Sequence, residues 1–295
     1  MSNKPFNPIN KVIVVTGGAS GIGAALCLAF AKAKASAIVV ADMNVSKAEQ
    51  TCKQCSSCHP HLSPPPRFIP RYVDVSNDNN IKNLINFTET NVGPIDLFVC
   101  NAGIMPPKTN PELTGATSKK GHFASNEEWN YIHAVNTMQL VSVARYIIPK
   151  YLERNGGHIV ITASAAGFCP IGSPSYSVSK AAAINFGEWL SVTYGSRGIG
   201  VTLICPQRTR SRMTNGFTGA KGAWLGRMIE AEDVANCCID ALKDGTIYAF
   251  PHPEVATFIK RKVTDPDRWI KGMRRANELV SYTEEDTGAT RISKL

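Results

Sequence analysis

The chain has 295 residues, 43% apolar and 19% charged, an ordinary globular composition able to bury a sizeable core. No apolar run approaches the ~18 residues of a membrane span, and Met1 to Pro8 holds no hydrophobic segment, so neither a span nor a secretory signal is expected. Nine cysteines, an odd number, argue against a disulfide framework and for a reducing compartment. The formal charge of +9 comes without a recognised nucleic-acid module or aromatic–basic interleaving, so nucleic acid is not an expected partner.

In chain order, strand and helix alternate. Lys11–Thr16 is a short apolar run that suits a strand buried on both faces. Glycines follow at 17, 18, 21 and 23, then Ile22, Leu26, Ala29, Phe30 and Ala33 recur at helical spacing. Ala37–Asp42 is the second strand, and its terminal carboxylate stands nineteen residues past Gly23. Ser46 to about Gln54 reads as a helix, Arg67–Val73 as the third strand, and Ser76 as the cap of a helix carrying Ile81, Leu84, Ile85 and Phe87. Ile95–Cys100 is the fourth strand. The box Ser125-Asn-Glu-Glu128 opens a long helix, with Trp129, Ile132, Val135, Leu140 and Val143, that is expected to end near Pro149. His158–Thr162, Val201–Cys205 and Thr246–Phe250 are the fifth to seventh strands, with helices at about 175–194 and 232–243 between them.

This alternation predicts an α/β fold: one doubly wound, Rossmann-like parallel sheet of seven strands, formed as a single domain over 1–282 with a short C-terminal helical extension. Residues 283–295 read as a flexible polar tail. The loop 55–66 lies at a far edge and reads as decoration. The loop 104–124 follows the fourth strand, where ligands of such sheets bind, and reads as a substrate rim.

The first strand–turn–helix–strand unit has the parts of a dinucleotide site. Gly17 permits a tight turn, Gly21 and Gly23 let backbone approach a pyrophosphate, and the helix N-terminus favours its charge. Asp42 suits the ribose hydroxyls, and a 2′-phosphate there would meet a like charge. No Arg or Lys sits in the glycine turn or directly after Asp42, so NAD is expected over NADP. Farther on, Tyr176-Ser-Val-Ser-Lys180 puts a phenol and an ammonium on one helix face. A phenol has a pKa of about 10; bringing it near neutrality takes about 4 kcal/mol, within reach of Lys180 together with a bound nicotinamide cation. Ser164 stands at the carboxyl end of the fifth strand, where active-site groups of this architecture collect.

With these residues the chain resembles the short-chain dehydrogenase/reductase family over roughly residues 10–245. The matching motifs are Thr16-Gly17-x-x-x-Gly21-x-Gly23, Asp74, Asn101-Ala102-Gly103, Asn136, Ser164 and Tyr176-x-x-x-Lys180. The resemblance implies Tyr176 as general acid/base and Ser164 as the holder of the substrate oxygen. Lys180 would bind the nicotinamide ribose and acidify Tyr176, and Asn136 would hold a water of a proton relay. The cofactor would lie against Gly17, Ser20, Gly21, Ile22 and Gly23, with Asp74 and Val75 at the adenine and Asn101, Ala102 and Gly103 as its floor. The activity implied is interconversion of a secondary alcohol and a ketone. An enoyl- or dienoyl-thioester reductase of the same fold and a non-catalytic nucleotide-binding scaffold are the alternatives. Dimerisation through the helices at 126–149 and 175–194, as a homodimer or homotetramer, is implied by the resemblance alone.

Three features stand apart. The family usually has Pro-Gly after the sixth strand, with Thr four residues past that Gly; this chain has Pro206-Gln207, then Ser211. Ser211 keeps a hydroxyl for the carboxamide, whereas Gln207 loses the glycine's freedom. Arg208, Arg210 and Arg212 there face either water or an anionic substrate group. In place of the family's glycine-rich ending stand Phe250-Pro-His-Pro-Glu254 and a basic helical tail. Second, Cys52, Cys55, Cys58, His59 and His61 have the spacing of a haem or zinc motif, but no second ligand pair follows, so a solvent-facing loop and no metal is expected. Third, Ser293-Lys294-Leu295 matches the peroxisomal import address, with cytoplasm as the alternative. That address and the basic rim are compatible with a lipid-derived substrate.

Overall fold

A computed structural model describes residues 4–58, 64–105, 125–170, 173–211, 213 and 227–285. The chain runs β1 (Val12–Thr16), α1 (Gly21–Lys32), β2 (Ala37–Asp42), α2 (Val45–Ser56), β3 (Arg67–Tyr72), α3 (Asp78–Asn91), β4 (Leu97–Cys100), α4 (Asn126–His133), α5 (Gln139–Glu153), β5 (Gly157–Thr162), α6 (Pro174–Tyr194), β6 (Ile199–Ile204), α7 (Ala231–Asp244), β7 (Tyr248–Ala249), α8 (Glu254–Thr264) and α9 (Pro266–Glu285). All strand pairs are parallel, in the order β3-β2-β1-β4-β5-β6-β7. The order reverses between β1 and β4. Such a switch point opens a crevice beyond the strands' carboxyl ends.

Burial explains why the strands read as unbroken apolar runs. Alternate residues of one strand enter opposite cores. Val14, Val39, Phe98, Ile159 and Leu203 pack with α3, α5 and α6, whereas Ile13, Val15, Ile38, Val40 and Val99 pack with α1, α2 and α7. Edge strand β3 is only partly covered and tolerates Pro70, which a central strand would not.

Four expectations change. The long helix does not end near Pro149: α5 continues to Glu153, because Ile147, Ile148 and Tyr151 remain in the core and their burial outweighs one lost backbone bond. The same helix contains a π turn at Ala134–Met138, which joins α4 to α5. The cysteine motif begins as helix rather than loop, with Cys52 and Cys55 buried on α2 beneath α1. His59 and His61 lie outside the described residues. Finally, β7 is a two-residue strand, shorter than 246–250. All nine cysteines are free. Among the described residues no three His, Cys, Asp or Glu side chains group as a metal site, and no helix is long and apolar enough to cross a membrane.

Beyond β7 the helical extension consists of two helices. Val255 anchors α8, Met273 and Ala276 anchor α9, and Phe258 meets Trp269 with ring centroids 6.1 Å apart. Helix α9 reaches Glu285; residues 286–295, with Ser293-Lys294-Leu295, lie outside the described part, as does 106–124 of the expected substrate rim.

Candidate active site

The glycine turn is built by close backbone approach. Gly17 and Gly21 have φ of +65° and +52°, the left-handed region that side chains disfavour. A Cβ on Gly17 would stand 2.9 Å from Ala102 Cα, and one on Gly23 would stand 2.6 Å from Asn101 Nδ2 and overlap Gly17 O. Asn101 seals this crossing: its Nδ2 donates to Thr16 O (3.1 Å) and Gly17 O (3.3 Å), and Thr16 Oγ1 accepts from the N–H groups of Asn101 and Ala102. At the start of α1 the Ser20 hydroxyl makes no capping bond and the first turn holds no acid. The helix end thus keeps its partial positive charge for an anion.

Asp42, at the end of β2, accepts from Ala19 N–H (3.1 Å) and Asn44 N–H (2.9 Å), so its carboxylate fixes the turn. Two of its roughly four acceptor positions remain for hydroxyls. Asp74 accepts from the Ser76 backbone (2.9 Å) and hydroxyl (2.7 Å), which fixes the turn that carries Val75 past the end of β3. An open helix N-terminus, a glycine cradle and a carboxylate with spare acceptors fit a dinucleotide.

On the other side of the switch point, Ser164 follows β5 and Tyr176 and Lys180 lie in the first two turns of α6. Ser173 caps that helix and Pro174 starts it. Lys180 is buried. Its Nζ donates to Thr162 O (2.8 Å) and lies 5.7 Å from the centre of the Tyr176 ring. Burial pushes this ammonium down to about 8. Burial also raises the Tyr176 phenol, with a hydrogen bond from Ser164 pulling the other way. The lowered Tyr176 expected from sequence relied on two cations; Lys180 alone does not offset the desolvation of the partly buried phenol. Asn136 sits in the π turn, a local widening of the kind often found at functional sites. Its Oδ1 accepts from Ile104 N–H (2.8 Å), and its Nδ2 donates to Ile104 O and Ser179 Oγ (3.0 Å each). A Cβ on Gly103 would lie 3.3 Å from both Asn136 Oδ1 and Lys180 Nζ, so these groups converge where β4 ends.

Of the residues singled out from sequence, the glycines with Ser20 and Ile22, Asp42 and Asn101–Gly103 line one stretch of the crevice. Asp74 and Val75 follow β3, beyond Asp42 on one side of the glycine turn, and Ser164, with Tyr176, Lys180 and Asn136, stands on the other side, where β4 and β5 end. Ser211 stands against the glycine turn, its Cβ 3.5 Å from where a Cβ on Gly21 would lie. Arg210 faces solvent, where its Nε pairs with Glu230 Oε1 at 2.8 Å. Arg212 lies outside the described residues. Sequence reading missed Thr162, whose carbonyl holds Lys180 and whose Oγ1 donates to Asn101 Oδ1 (3.1 Å). It missed Gln139 too, whose Nε2 donates to Ala102 O (2.6 Å). Gln139 follows Asn136 by three residues on the same helix face, which is the one signal available for it.

Fold and site together define a dinucleotide-binding α/β protein with a Ser–Tyr–Lys group at the switch point. The family model described as short chain dehydrogenase matches residues 11–221, and the chain belongs to the short-chain dehydrogenase/reductase family. It is 28% identical over 262 residues to 1-deoxy-11-beta-hydroxypentalenate dehydrogenase of Streptomyces exfoliatus, covering 88% of this chain and 90% of that one. It is 26% identical over 233 residues to meso-2,3-butanediol dehydrogenase of Serratia marcescens, covering 77% and 84%. Among solved structures, a short-chain dehydrogenase/reductase from Burkholderia phymatum in complex with NAD superposes with a TM-score of 0.73 at 23% identity, covering 89% of this chain and 96% of that one.

Proposed function

We propose that the protein is an NAD-dependent dehydrogenase that interconverts a secondary alcohol and a ketone. The observation that carries this reading is the Tyr176 phenol, hydrogen-bonded to Ser164 with the Lys180 ammonium 5.7 Å from its ring, at the carboxyl end of β5. The bound nicotinamide supplies the hydride acceptor, and its positive ring adds to the charge felt by the phenol. Ser164 Oγ holds the substrate oxygen. Tyr176 takes the hydroxyl proton during oxidation and returns it during reduction. Lys180 stabilises the phenolate, while Asn136 and Thr162 fix the ammonium's surroundings. The partly buried Tyr176, its phenol raised above the ordinary value by desolvation, is protonated at neutral pH in the free protein, ready as the acid for ketone reduction.

Asp42 supports NAD over NADP through its unneutralised charge. The names of the two relatives, both dehydrogenases of hydroxylated compounds, support alcohol chemistry over thioester reduction. The test is a panel of secondary alcohols with NAD⁺ and with NADP⁺, followed at 340 nm with product analysis. NADH formation together with a ketone is expected; inertness towards every alcohol, or efficient reduction of an enoyl thioester, overturns the reading.

We also infer self-association through α4–α6. Tyr131, Met138, Val178, Trp189 and Val192 are large apolar residues on these helices that are about half exposed or more, Val192 at 84%. Sedimentation of Val192→Glu should show a smaller species than wild type, and an unchanged mass would contradict this. Peroxisomal import through Ser293-Lys294-Leu295 is supported by the tripeptide itself. Imaging of the amino-terminally tagged chain with and without Leu295 tests it, and an identical diffuse signal from both would reject it.

A further inference from the structure

Two departures from the family pattern, Gln207 and the Phe250-Pro-His-Pro-Glu254 ending, meet in space. His252 is buried between them (2% exposed). Its Nδ1 accepts from Gln207 N–H (3.1 Å), and its Nε2 lies 3.0 Å from Arg227 O. An amide N–H only donates and a carbonyl only accepts, so this geometry requires the neutral ring with its proton on Nε2. Gln207 itself stays out of the left-handed region, so no glycine is required there. Residues Arg208 to Arg210 and Ile229 form a short parallel bridge that draws the two arms of the loop together. His252 ties both arms to the segment after β7.

The peptide group gives this bond its reach. The N–H that His252 accepts and the carbonyl of Pro206 belong to the same planar amide. On its other edge Pro206 O accepts from Ala165 N–H (2.9 Å) and lies 3.4 Å from Ser164 Oγ, an alternative acceptor to Tyr176 for that hydroxyl's single proton. One rigid plane therefore runs from the imidazole to the serine placed at the substrate oxygen. Hydrogen bonding at its N–H also polarises its carbonyl as an acceptor.

We propose that His252 is a positioning residue for Ser164, acting through the Pro206–Gln207 peptide, and that it stands in for the backbone pattern the family has at these two places. The proposal rests on the reading of Ser164 as the group that holds the substrate oxygen. Loss of the imidazole acceptor lets the peptide rotate and misplaces the serine hydroxyl, while the glycine turn and Asp42, on the far side of the switch point, keep their geometry.

The experiment compares wild type with His252→Leu, which removes both bonds, and His252→Asn, whose amide oxygen replaces the Nδ1 acceptor. With a secondary alcohol that wild type oxidises, His252→Leu should lower kcat about tenfold, the scale of one lost hydrogen bond, with KM for NAD⁺ within threefold of wild type. His252→Asn should recover most of kcat. Wild-type kcat in the leucine variant, or equal losses in both variants with matching melting temperatures, overturns the proposal. A second readout needs no substrate: ¹⁵N spectra of histidine-labelled full-length protein at pH 7.5 should show His252 neutral with a bare Nδ1. A proton on Nδ1 overturns the proposal even if both variants fail to fold. Should wild type oxidise no alcohol, the proposed function fails and this spectrum still decides the role of His252.

Discussion

The two halves of the sheet are built in different ways. Through β4, the crevice is held by backbone approach, and among the described residues the buried polar side chains are three threonines, Thr16, Thr51 and Thr88. From Asn136 onward the described chain buries fourteen polar or charged side chains, among them His158, Ser164, Lys180 and His252. The first half is set chiefly by glycine shape, with Thr16, Asp42 and Asn101 bonding across the turn, and the second depends more widely on paired donors and acceptors. Buried polar groups cost free energy unless each is satisfied, so the second half is where pH and single substitutions act through bonding.

If that contrast holds, the largest effect in the first half comes from bulk alone. Gly23→Val would drive a side chain into Gly17 O and Asn101, and NADH binding followed by fluorescence titration should fall more than a hundredfold. Binding near the wild-type value would show that the turn is not the cradle. In the second half the comparable probe is pH. Burial pushes His158 from the ordinary 6.5 down to about 3, and its Nε2 pairs with Thr202 Oγ1 at 3.0 Å. The unfolded chain then binds the extra proton below pH 6.5, so stability is present above that value and is lost as pH falls towards 3. The slope is about 1.4 kcal/mol per pH unit, or about 2 kcal/mol between pH 6.5 and 5. Urea unfolding of wild type against His158→Gln should show the variant losing less over that range, and parallel losses would contradict the assignment. The smallest effect is on cofactor choice. Asp42→Ala should shift the NAD⁺ to NADP⁺ ratio of kcat/KM about tenfold towards NADP⁺, and an unchanged ratio would remove charge from the account.

The same contrast explains what could be read from sequence. The parallel sheet and the glycine turn follow from apolar periodicity and from residues whose backbone needs are local, so Gly17 to Asp42 was legible in full. Tyr176 and Lys180 are a helical turn apart and equally legible as a pair, but the direction of the phenol's shift was not, because it depends on how deeply other elements bury it. Pro149 misled for a related reason: a local rule ends the helix, and the distant core against Ile147, Ile148 and Tyr151 carries it onward. His252 lies forty-five residues from Gln207, and nothing local marks a bond over that distance. Cys52 and Cys55 carried a motif's spacing yet face the core, since spacing does not reveal which side of a helix is covered.

The central claim is that one phenol moves the proton, and Tyr176→Phe tests it with the fewest other changes. The variant should bind NADH within about twofold of wild type while kcat for alcohol oxidation falls about a thousandfold, inside the range for a lost general acid/base. Oxidation at the wild-type rate by a variant that still binds NADH would contradict the account.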